Sequence, residues 1–103
     1  MSAVADVLRE IYSERTRQDA KWGEQNHPDG TGSRPDKTRA TLSKAVCDSH
    51  ARTGHLTWKD ILQEEVAEAF AESDVTLLRA ELVQVAAVAA GWIEAIDRRT
   101  ERP

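Results

Sequence analysis

The chain has little cysteine, proline, glycine or aromatic side chain, and no excess of positive charge. Its single cysteine, Cys47, excludes an intrachain disulfide framework and a cysteine-rich zinc module. Three prolines and five glycines among 103 residues exclude collagen-like and linker-like composition. A formal net charge of −4 and a pI near 5.3 argue against a protein that coats nucleic acid, which needs a basic surface. No uninterrupted apolar run approaches a membrane span, and no basic-then-apolar leader precedes the first helical pattern, so no membrane partner is expected and the cytoplasm is the expected location. What is present is a mixture of 40% hydrophobic and 31% charged residues, the balance of a soluble globular chain. The length suits one domain, residues 1–103, with a core small enough to gain from a second copy.

Apolar residues recur at helical spacing along most of the chain, and no segment alternates with a period of two. The first helix is expected from Ala3 to about Asp19, capped by Ser2, with Val4, Val7, Leu8, Ile11 and Tyr12 as its inner stripe. From Gly23 to Asp36 the pattern gives way to GEQNHPDGTGSRPD, read as a long irregular loop. A second helix is expected from Lys37 to Thr53-Gly54, with Thr41, Leu42, Ala45, Val46 and Ser49 inward. Thr57 and Asp60 form a capping box for a third, whose stripe is Trp58, Ile61, Leu62, Val66, Ala69 and Phe70. Ser73-Asp74 breaks it, and Asp74 caps a fourth helix, about Thr76 to Arg99. Its stripe holds Leu77, Leu78, Leu82, Val85, Val88, Ala89, Trp92, Ile93 and Ile96, and residues 100–103 read as a frayed tail. Trp58 and Trp92 read as core or interface. The predicted fold is all-α, four helices in a bundle-like packing with a long loop after the first.

Glu65 and Glu68 project from one face of the third helix, three residues apart, where like charges repel. Twelve residues lie between Glu68 and Glu81, enough to end one helix, turn, and bring Glu81 back across the seam. Three carboxylates around one point call for a divalent ion, and Mg²⁺ prefers such oxygen ligands. The spacing alone is equally met by glutamates on a wet helix surface. Cys47, His50, His55 and His27 lack the spacing of a zinc site. Cys47 reads as a small helix residue and His27 as a loop residue held before Pro28.

Glu64-Glu65-x-x-Glu68, twelve residues, then Glu81-x-x-Gln84 resembles the EExxE…ExxD motif of the all-α nucleoside triphosphate pyrophosphohydrolases of MazG type. Leu62-Gln63-Glu64-Glu65 and Arg79-Ala80-Glu81-Leu82 give that motif its context. The phrase from Glu14 to Pro28, with Arg17-Gln18-Asp19-x-Lys21-Trp22-Gly23, is similar to the opening of small MazG-like proteins of bacteria and their viruses. The resemblance spans roughly residues 10–97. It implies a MazG-type fold, hydrolysis of a nucleoside triphosphate to the monophosphate and pyrophosphate in nucleotide-pool housekeeping, and Mg²⁺ as cofactor, with Mn²⁺ as a substitute. It also implies a homodimer or homotetramer. Glu65, Glu68, Glu81 and Gln84 are the implied metal ligands. Glu64, about 100° around the helix from Glu65, is the candidate general base to orient the attacking water, a position equally met by an exposed helix carboxylate.

Gln84 departs from the motif, because it stands where the family has a metal-binding Asp and brings no negative charge. Glu72, one turn beyond Glu68 on the same face, is the candidate to supply the missing charge; Glu94 and Asp97 lie too far along the last helix. The alternative is a catalytically weak or inactive helical module that binds nucleotide or a protein partner. Lys21, Arg39 and Lys44 are candidate phosphate partners, and Trp22 is a candidate platform for a nucleobase.

Overall fold

The computed structural model describes residues 2–101. Among the described residues there are four helices and no strand, α1 (Ala3–Trp22), α2 (Arg34–Arg52), α3 (Trp58–Ala71) and α4 (Val75–Glu101), so the fold is all-α as the periodicity predicts. They fall into two compact units. One comprises the residues up to Asp29 with those from Ala90 onward, and the other is Gly30–Ala89.

In the first unit, Ser2 caps α1 by accepting from Ala5 N–H at 3.2 Å. The helix runs three residues past the expected Asp19 and stops at Gly23, whose φ of 69° suits a residue without Cβ. Of the expected stripe only Val7 is buried, at 1% exposure; Val4, Leu8, Ile11 and Tyr12 are exposed. Two helical segments make up this unit. Ala90 is buried here, with Gly91 and Trp92 half-buried. Thr100 and Glu101 continue α4 rather than fraying, while Arg102 and Pro103 of the expected tail lie outside the described residues.

The second unit opens earlier than expected. α2 begins at Arg34, because Ser33 and Asp36 form a reciprocal capping box at 3.2 Å each way and Pro35 occupies the first turn, where its missing N–H costs nothing. Its inner face is also not the expected one. Thr41, Leu42, Ala45, Val46 and Ser49 are all exposed, Leu42 by 61%. The residues of α2 withdrawn from solvent are Asp36, Ala40, Ser43, Cys47 and His50, a small and polar stripe spaced by fours and threes. α2 packs on α3, and His50 Nδ1 meets Asp60 Oδ2 across that seam at 2.7 Å. Hydrogen bonding to α3, rather than hydrophobicity, selects which side of α2 turns inward.

α3 starts as predicted, with Thr57 and Asp60 exchanging hydrogen bonds of 3.1 Å. Asp60, only 8% exposed, serves both this cap and His50. Those bonds, foremost the one from His50, hold its carboxyl below the usual carboxylate range. Ala69 is fully buried, Trp58, Ile61, Leu62 and Val66 are half-buried, and Phe70, expected inside, is exposed. Asp74 Oδ1 then accepts from Thr76 and Leu77 N–H at 2.9 and 3.1 Å and caps α4. Leu78 is buried near the start of α4, but Leu77 and Leu82, and further along Ile93 and Ile96, are exposed. Much of the expected apolar stripe of α4 is therefore exposed. By length and composition Val75–Thr100 is apolar enough to cross a membrane, contrary to the expectation from uninterrupted runs. Its abundant Val, Ala, Leu and Ile outweigh the interruptions at Gln84, Gly91 and Glu94.

Candidate functional site

Within the second unit, α3 and the first turns of α4 bring Glu65, Glu68 and Glu81 together. One carboxylate oxygen of each lies within 4.8 Å of the others. Glu65 and Glu68 share a face because they are one helical turn apart, and the turn at Ser73-Asp74 returns the chain so that Glu81 meets them. All three are half-buried, and Glu81 Oε2 is buried without a hydrogen-bond partner. An unpartnered carboxylate oxygen away from water is costly unless a cation or a donor answers it.

The electrostatics follow from this crowding. Burial first, then the charges of Glu81 and Glu64, push the Glu65 carboxyl up from its ordinary value. Glu68 is pushed up to about 7, first by burial, then by the charges of Glu65 and Glu81, with Glu64 adding a charge and a hydrogen bond. Glu64 stands beside the cluster. The nearness of its carboxylate, then burial, pushes the buried Cys47 thiol of α2 up to about 11.

The other sequence candidates lie elsewhere. Gln84 lies on α4 one turn beyond Glu81 and is exposed. Glu72 does not join the converging carboxylates: α3 ends at Ala71, and Glu72 is its C-cap in extended conformation (φ −83°, ψ 128°). Arg39 and Lys44 are exposed on α2 and paired locally, Arg39 with Asp36 at 3.3 Å and Lys44 with Asp48 at 3.6 Å. Lys21 and Trp22 belong to the first unit. There Lys21 Nζ lies 4.7 Å from the centre of the Trp22 ring, and Trp22, 57% exposed, lines an open hollow of about 360 Å³ with Gln25 and His27.

Sequence reasoning missed the polar stripe of α2. His50, Asp60 and Cys47 were read singly, as a histidine without zinc spacing, a cap and a small residue. The available signal was the run 36–40–43–47–50, whose fours and threes mark one helix face whatever its polarity.

Comparison with protein-family models, with curated proteins and with solved structures finds no match for this chain.

Proposed function

We propose that the chain is a divalent-cation-dependent nucleoside triphosphate pyrophosphohydrolase resembling the MazG type. The observation that carries this reading is the convergence of Glu65, Glu68 and Glu81 around the unpartnered Glu81 Oε2. The donor set fits a hard cation such as Mg²⁺ or Mn²⁺: oxygen ligands only, negative in sum, and partly withdrawn from water. Bound there, such a cation supplies charge neutralisation to the triphosphate oxygens. Glu65, Glu68 and Glu81 hold it. Glu64 accepts the proton of the attacking water. The new bond joins that water oxygen to the α-phosphorus, and the bond to the pyrophosphate leaving group breaks. Mg²⁺-dependent release of pyrophosphate across a panel of ordinary and modified triphosphates tests the reading. A chain that turns over none of them is instead the weak or inactive binding module, a second reading favoured by Gln84, which brings no negative charge where the resembled motif has Asp.

The same reading makes the chain a homo-oligomer in solution. Its support is the number of large apolar side chains left outside: Leu42 and Val46 on α2, Phe70 on α3, and Leu77, Leu82 and Val83 on α4. A second copy would withdraw such side chains from water. Leu42→Glu with Val46→Glu should convert the dimer or tetramer to a monomer in sedimentation equilibrium, with helical circular dichroism retained; a wild-type chain that already sediments as a monomer refutes the assembly. α4 carries Arg79, Glu81, Glu94 and Asp97, charges that a bilayer accepts reluctantly, which supports the cytoplasm over a membrane. The chain should stay in the supernatant of a detergent-free lysate, and a membrane pellet that releases it only with detergent would argue for a spanning α4.

A further inference from the structure

We infer that Thr31 and Gly32 are positioning residues, a strap that holds the α3–α4 turn so that Glu81 stays against Glu65 and Glu68. The inference rests on the reading of that cluster as a cation site. Gly32 N–H donates to the Phe70 carbonyl at 2.8 Å, and the Thr31 hydroxyl donates to the Glu72 carbonyl at 2.5 Å. Both carbonyls sit at the C-terminal end of α3, where the helix offers them no partner. The approach is close enough to require glycine. Gly32 has φ +88°, and a Cβ there would stand 2.7 Å from Ser73 Cβ and 3.2 Å from Ser73 Cα. The next residue, Ser33, caps α2, and Ser73 precedes Asp74, which caps α4. One short segment therefore ties the start of α2 to the end of α3 and to the threshold of α4.

The acidic cluster gives this tie a task. Its three carboxylates repel, and that repulsion drives α3 and α4 apart about their shared turn. Glu81 lies seven residues beyond Asp74, about 10 Å along the axis of α4. An opening of about 10° at the turn therefore displaces Glu81 by nearly 2 Å. Cation ligands tolerate only a few tenths of an ångström. The strap acts at the turn itself, where the smallest restraint controls the largest movement.

The test pairs Mn²⁺ affinity with a distance. Nitroxides are attached to Gln63→Cys and Ala87→Cys, both exposed positions of this unit, and their separation is read without cation; Cys47 is buried and escapes labelling. Thr31→Val, which removes the donor and keeps the shape, is expected to weaken Mn²⁺ binding about fivefold, the worth of one hydrogen bond, and to lengthen the separation. Thr31→Ser should restore both values, which a loss of packing alone would not allow. Gly32→Ala disturbs the second contact and should exceed Thr31→Val in both readouts. The strap is overturned if Thr31→Val and Gly32→Ala leave affinity and separation at wild-type values. A wild-type chain that binds no Mn²⁺ overturns the cation reading, and the label separation still decides for or against the strap.

Discussion

Glu65→Gln should lower the Mg²⁺-dependent release of pyrophosphate about a thousandfold or more, the scale set by removing a metal-held charge from a phosphoryl-transfer site. The substitution keeps the length and helix preference of the side chain and removes one negative charge from three that converge within 4.8 Å. Phosphate detection after coupling to inorganic pyrophosphatase measures it, with Mn²⁺ affinity followed in parallel. Glu64→Gln should behave differently. Its carboxylate stands beside the converging group rather than in it, so cation affinity should survive while kcat falls by about 10² to 10⁴, the span of a lost general base. Gln84→Asp supplies the charge of the resembled motif and should raise turnover if the exposed side chain reaches the cation. Equal activity and equal cation binding in wild type, Glu65→Gln and Glu68→Gln would remove the cluster from the chemistry.

The second large effect is a fall of stability with rising pH when no divalent ion is present. The Glu68 carboxyl is pushed up to about 7 from an ordinary value of 4.5. Between those two values the folded chain holds a proton that the unfolded chain has lost, so stability falls as pH rises through this window and levels off above it. Screening of the half-buried carboxyl leaves a loss on the order of 2 kcal/mol. Asp60 acts in the opposite sense: its lowered carboxyl contributes above the ordinary carboxylate value, and that contribution is lost as pH falls through its folded value. In EDTA the thermal midpoint should therefore peak near the ordinary carboxylate range and decline toward neutrality. Added Mg²⁺ should shrink the decline, because the ionised carboxylates are the ones that ligate. Glu68→Gln should flatten it in EDTA. A midpoint in EDTA that stays level from pH 4.5 to 7.5 contradicts the crowding of the three glutamates.

The helices and their caps were legible because they rest on local chemistry. Ser2, Thr57 with Asp60, and Asp74 each cap the helix that the pattern assigns to them. Pro35 misled: it reads as a breaker within a glycine-rich stretch, yet in the first turn of a helix it is well placed. Glu65, Glu68 and Glu81 were legible through spacing, since helical period and a short turn determine which side chains can converge. The inward face of α2 was not. Leu42 and Val46 lead a search for an apolar stripe, while the packed side is chosen by partners on α3 that become visible only when the two helices meet. Thr31 and Gly32 were hidden for the same reason, because their partners lie some forty residues away in the chain.

The stripe on α2 repeats at 3.5 residues, slightly less than the 3.6 of a straight helix. Such a repeat stays in line with a neighbour only when the two rods coil gently about each other in a left-handed sense. One residue inserted between Ser43 and Cys47 would rotate everything downstream by about 100°. Cys47 and His50 would then swing away from α3 together, and the His50–Asp60 hydrogen bond that braces the third helix would be lost. The same insertion among residues 24–29, which belong to no helix, would be absorbed.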